Sequence, residues 1–197
     1  MNAPTRQAWI LGIFLLLPAA AVHAQETFTD SLKMAFVDNG EISIRLTAGE
    51  HRISTGENDH IRVSWSVEDE DIGSVVTETS VNGSSAKIDI DGPRENFRTV
   101  IEVPKHSDLV VQLSAGELDI AYIEGSKDIR LRAGELSIEV GSTDEYAQVK
   151  GSLWAGDINA GPFGQEESGL FRSIEWEGKG DHKLSFKLYA GEVTLFQ

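Results

Sequence analysis

Residues 113–138 read LSAGELDIAYIEGSKDIRLRAGELSI, and the stretch states one pattern twice: L-S-A-G-E-L-D-I at 113–120, then L-R-A-G-E-L-S-I at 131–138. In an extended chain Leu113 and Ala115 share a face, and continued alternation would bring Glu117 and Asp119 to the same side. The apolar residues that follow are instead Leu118 and Ile120, one step out of phase. A slip of one residue sends every later side chain to the other face of a sheet. A bend at Gly116 absorbs the slip, because glycine takes a positive φ at little cost. Each copy is therefore predicted to be two short strands joined at a glycine corner. The apolar side faces inward along both strands, and the acid after the glycine looks outward.

The pattern recurs as LTAGEHRI (46–53), LWAGDINA (153–160) and LYAGEVTL (188–195), which sets corners at Gly49, Gly116, Gly134, Gly156 and Gly191. The first copy is the loosest, with His51 in an apolar slot. Glycine spacings of 18 (116 to 134) and 22 (134 to 156) suit one circuit of a coil built from short strands. The longer gaps, 49 to 116 and 156 to 191, leave room for degenerate circuits or insertions. Units of this length cannot bury an apolar face alone and must stack. The expected fold is all-β: a single-domain, parallel β-helix-like β-solenoid. An antiparallel β-sandwich is the alternative, but it leaves the recurrence of one slip at one glycine unexplained. EISIRL (41–46), IRVSWSV (61–67), TVIEV (99–103) and KLSFKL (183–188) also alternate, and no segment after residue 24 has a helical period.

The first 24 residues read differently. Arg6 precedes an apolar run from Ala8 to Val22, and Val22 and Ala24 offer the small residues of a cleavage site. That is the layout of a secretory signal peptide at 1–24, which leaves a domain at 25–197. The run is shorter than the roughly 20 residues of a membrane span, so no membrane insertion of the mature chain is expected. The expected location is the periplasm, the cell surface or the extracellular space. Acidic residues number 32 against 17 basic ones, for a formal net charge of −15, which argues against nucleic acid as a partner. The absence of cysteine excludes disulfides and thiol chemistry.

Catalytic signatures are few. Ser84-Ser85-Ala86-Lys87 has S-x-x-K spacing but enters a strand and lacks its companion motifs. His51, His60, His106 and His182 lack ligand spacing, and EDED (68–71) reads as a solvated loop. The nearest approach to an acid–base cluster is Asp128, Arg130 and Arg132, all outward on one strand. No cofactor is expected.

Two columns of the repeat carry functional expectations. The corner acids include Glu117, Glu135 and Asp157, with Glu50 and Glu192 in the outer copies. They read first as a wet acidic edge and second as a metal site bridged by a cation. The position two before the glycine reads Thr47, Ser114, Arg132, Trp154 and Tyr189, turning aromatic toward the C-terminus. Trp154 and Tyr189 are the binding candidates, a platform for sugar or peptide. The favoured expectation is that the 161–182 insertion caps them, with Phe163, Phe171 and Trp176 as packing partners.

IEVPKHSDLVVQLSAGELDI (101–120), GEISIRLTAGEHRI (40–53) and GKGDHKLSFKLYAGEVTLF (178–196) together resemble the repeating core of the bacterial putative-adhesin family, a domain of unknown function. This chain has Ala before the glycine and mostly Glu after it, where that family more often has Ser-Gly-Asp. The resemblance implies an envelope-associated β-solenoid without catalytic residues. The expected function is an exported, noncatalytic interaction module for an envelope or extracellular component, protein or glycan. A carbohydrate-active, polysaccharide lyase-like enzyme on the same scaffold is the alternative.

Overall fold

A computed structural model describes residues 28–68, 71 and 73–197. The expected signal peptide lies outside them, as do the two middle residues of EDED. Among the described residues there is no α-helix, and eleven strands form one sheet. No helix there is long and apolar enough to cross a membrane.

Five long strands each carry one copy of the repeat: β2 (Gly40–Thr55), β7 (Ser107–Ile120), β8 (Lys127–Glu139), β9 (Tyr146–Ala160) and β11 (His182–Phe196). They pair in parallel in the order β2-β7-β8-β11-β9. The register sets Gly49 beside Gly116, Gly116 beside Gly134, Gly134 beside Gly191 and Gly191 beside Gly156. These glycines have φ between 118° and 145°, so the bend that the phase slip requires is present at every corner. They are also packed backbone to backbone. A Cβ on Gly116, Gly134, Gly191 or Gly156 would sit 1.7–1.9 Å from the carbonyl oxygen of the neighbouring glycine. No side chain fits that gap, so the glycine column fixes both the bend and the register.

The inward residues stack in columns along the same register. Leu46, Leu113, Leu131, Leu188 and Leu153 form one before the corner, and Ile53, Ile120, Ile138 and Leu195 form one after it. All are buried, each stabilising the fold by about 2 kcal/mol relative to an exposed side chain. Phe186 faces Gly151, and its ring occupies the space a Gly151 Cβ would need, 2.0 Å away.

The remaining strands are β1 (Asp30–Ala35), β3 (His60–Ser66), β4 (Val76–Asn82), β5 (Ser85–Asp91), β6 (Arg98–Val103) and β10 (Gln165–Glu177). β5 pairs in parallel with the first half of β2, and β6 with its second half. Together they make a split copy in which residues 92–97 replace the glycine corner. Antiparallel strands cover both ends of the stack. At one end β4 lies on β5, and β3 and β1 lie beyond β6; at the other, β10 lies along β9. A stack of parallel strands exposes unpaired backbone at its ends, and a terminal strand of different character blunts it.

The reading of the 22 residues from Gly134 to Gly156 as one circuit needs correction. The C-terminal copy lies between the third and fourth copies, because β11 pairs with both β8 and β9. The tight turn at Gly161–Phe163 folds β10 back onto one edge of β9. Only the other edge of β9 is then open, and β11 fills it. The two long gaps in the repeat are likewise accounted for, the first by the split copy with β3 and β4, the second by β10.

Candidate functional site

The outward face before the corner carries two columns. Four residues before each glycine stand Arg45, Gln112, Arg130, Lys187 and Ser152, in that spatial order. Two before it stand Thr47, Ser114, Arg132, Tyr189 and Trp154. The insertion of β11 makes Tyr189 the direct neighbour of Trp154. Their rings stack at a centroid distance of 4.6 Å with planes 6° apart. Phe171 of β10 meets Trp154 edge-on at 5.6 Å and 87°. Phe171 has φ 56°, an unfavourable conformation for a bulky residue, and it is skipped in the β9–β10 ladder. The register runs unshifted from Leu170 opposite Ala155 to Arg172 opposite Leu153, so Phe171 lies opposite Trp154 on the same outward face.

The expected cap is not what forms. Exposure is 41% for Trp154, 56% for Tyr189 and 73% for Phe171, so the three rings make an open aromatic edge. Phe163 instead is buried against Tyr146, with centroids 5.8 Å apart, and Trp176 packs on Phe163 at 5.0 Å. Of the three proposed packing partners only Phe171 reaches Trp154. The rest of the insertion continues the sheet as β10.

Below the aromatic edge is a groove of about 620 Å³, lined by Arg45, Gln112, Arg130, Arg132, Lys187 and Arg172 together with the three rings. No carboxylate or imidazole lines it. Arg130 bonds Asp128 at 3.1 Å, Arg172 lies 3.6 Å from Glu167 and Arg45 lies 3.9 Å from Asp89. Arg132 and Lys187 have no carboxylate within ion-pair distance among the described residues. The sequence reading singled out the aromatic column and took Arg130 and Arg132 as ordinary exposed residues. Reading the next column of the repeat, where no acid occurs in five copies, would have found the groove.

The corner acids form one row in the order Glu50, Glu117, Glu135, Glu192, Asp157. Of the expected metal grouping, Glu117 and Glu135 are neighbours, while Glu192 stands between Glu135 and Asp157. Glu50 is held by Arg98 at 2.6 Å. The sole cluster of three possible ligands among the described residues is elsewhere, at Glu57, Asp59 and His60. There Lys33 already bonds Glu57 at 2.7 Å and His60 bonds Asp59 at 2.6 Å.

Two basic side chains interrupt the inward columns. His51 lies beside Leu118 and is 3% exposed. Its Nδ1 shares a 2.7 Å hydrogen bond with the Thr99 hydroxyl, while Nε2 has no partner. Burial pushes its pKa down to about 4. Lys127, buried between Leu109 and Leu184, donates to the carbonyls of Ile123 and Gly125 at 2.6 and 3.0 Å. Burial pushes its pKa down to about 8.

No family's sequence model matches the chain, and no curated protein matches it significantly. Among solved structures it is similar to a putative cell adhesion protein from Clostridium sporogenes ATCC 15579, with a TM-score of 0.51 and 13% identity, over 84% of this chain and 98% of that one. A putative adhesin from Parabacteroides distasonis ATCC 8503 matches with a TM-score of 0.26 and 13% identity, over 56% of this chain and 61% of that one. A putative lipid binding protein from the same organism matches with a TM-score of 0.23 and 14% identity, over 56% and 54%. At such identity, what the chain shares with the first of these is a fold.

Proposed function

We propose that the chain is an exported, noncatalytic interaction module of the adhesin type, built as a short β-solenoid. It binds an envelope or extracellular component through the Trp154–Tyr189–Phe171 edge. The solenoid reading is supported by the parallel in-register copies and their shared glycine corner; the antiparallel strands at both ends serve as its caps. The observation that carries the function is the open aromatic stack. Three large rings are held in fixed positions on adjacent strands, yet remain 41–73% exposed. An exposed apolar cluster on a stiff scaffold marks a contact surface, and aromatic residues dominate the energetics of such surfaces. A binding rather than catalytic role is supported by the groove lining, which includes neither carboxylate nor imidazole for proton transfer.

The test is a glycan array probed with the mature chain and with Trp154→Ala/Tyr189→Ala. The double variant should lose about 1–2 kcal/mol of stability, since half-exposed rings in a stacked pair contribute modestly. It should also lose the array signal of the parent. A variant that binds every array position as the parent does would remove the aromatic edge from the function.

A further inference from the structure

The groove has a charge opposite to that of the protein. The chain's formal net charge is −15, yet Arg45, Arg130, Arg132, Lys187 and Arg172 converge on a surface without a single acid. Three of these have a carboxylate partner, Arg45 in Asp89, Arg130 in Asp128 and Arg172 in Glu167, as cations do elsewhere on the sheet: Arg52 with Asp119 at 3.0 Å, Arg98 with Glu50 at 2.6 Å and Lys150 with Glu175 at 2.8 Å. In the groove, Arg130 and Lys187 stand directly opposite each other, a like-charge pair that costs stability. Arg132 and Lys187 find no counter-charge among the described residues. The fold holds this cationic row against its own electrostatics, beside the open face of Tyr189.

We propose that the groove binds a carboxylated glycan, a chain of uronic acid sugars laid across the strands. This rests on the interaction-module reading above and names its ligand class. Strands repeat at about 4.8 Å, close to the length of one pyranose residue in an extended chain, so successive sugars meet successive strands. Arg130 and Arg132 offer planar forks that match carboxylates two bonds at a time, and Lys187 supplies a point charge between them and the aromatic edge. The C–H face of a sugar ring packs against Tyr189, where an aromatic face is free. The acid row begins one residue past each glycine and suits sugar hydroxyls as hydrogen-bond donors.

The experiment measures binding of a labelled galacturonic acid hexamer to the mature chain. Three comparison probes are the same hexamer reduced at its carboxyl groups to a neutral glycan, a single-stranded oligonucleotide and anionic lipid vesicles. The acidic hexamer should bind at least about tenfold more tightly than its reduced form, the loss expected when a charge-assisted hydrogen bond is removed. Arg132→Gln/Lys187→Gln should weaken it by a similar factor and weaken its salt dependence, with the thermal melt unchanged or raised. Arg52→Gln, outside the groove, should bind like the parent. Equal binding of the two hexamers, indifference to the double variant, or a preference for the oligonucleotide or the vesicles would each overturn the proposal. If the reduced hexamer binds equally and Trp154→Ala/Tyr189→Ala abolishes that binding, the carboxylate inference fails alone and the aromatic edge stands. If neither hexamer binds and the aromatic variant alters no array signal, both fail.

Discussion

Gly134→Val should cost about 4 kcal/mol or more, enough to leave a chain of ordinary stability largely unfolded. Two effects add at this position. A φ of 129° is forbidden to a β-branched residue, and the new Cβ would sit 1.8 Å from the Gly116 carbonyl oxygen, with the Gly116 backbone on either side of that atom. Neither strand can retreat, because each is paired on both edges. Gly83→Ala is the matched control. Its φ is 60° but nothing lies within 4 Å, so only the conformational penalty of about 1 kcal/mol applies. Urea denaturation of the two variants separates the causes. Similar small losses in both would mean that the corners are not in backbone contact.

The second large effect is a loss of stability on acidification that begins above the carboxylate range. His51 has an ordinary pKa of 6.5 when unfolded and about 4 when folded. Its contribution is therefore complete above pH 6.5 and is lost as pH falls toward 4, because the unfolded chain takes up the proton that the folded chain refuses. The difference corresponds to about 3 kcal/mol. Glu57 and Asp59, held below their ordinary values by hydrogen bonds from Lys33 and His60, act only at lower pH. Lys127 titrates near pH 8 and above, on the other side of this window. Stability measured by urea across pH 7 to 4 should fall steeply in the parent and stay nearly flat in His51→Leu/Thr99→Val. The equivalent slots of other copies hold Leu118, Leu136, Ile158 and Val193, so the paired substitution restores the apolar column. An identical fall in both proteins would assign the transition to other groups.

The corners were legible because a phase slip at glycine is a geometric statement: no straight strand buries Leu113 and Leu118 on one side. His51 was legible only in part: its apolar slot shows in the repeat, but a surface or edge role was expected for it, and it is buried. The order of the copies was not. Each offers nearly the same leucine, alanine and glycine edge to its neighbours, so the pattern fits any parallel sequence of copies equally well. What selects the order is a short turn at Gly161–Phe163 that commits one edge of β9, and a size match between Phe186 and Gly151. Both are visible in the sequence, but their meaning depends on knowing which strands touch. The cap expectation failed for a related reason. Phe163 and Trp176 stand near Trp154 in sequence, but Phe163 lies in the turn before β10 and packs on Tyr146, while the alternation of β10 puts Trp176 on the inner face and Phe171 opposite Trp154 on the outer one.

The site exists only if the C-terminal copy lies between the third and fourth, since that placement brings Tyr189 between Arg132 and Trp154. A chain without cysteine allows this to be tested by paired substitutions. Adjacent strands place facing Cα atoms about 5 Å apart, within disulfide range, and strands once removed place them about 10 Å apart, beyond it. Mild oxidation of Glu135→Cys/Glu192→Cys should give a disulfide within the folded monomer, and Glu135→Cys/Asp157→Cys should give none. A bond in the second pair and its absence in the first would contradict the stacking order and the groove built on it.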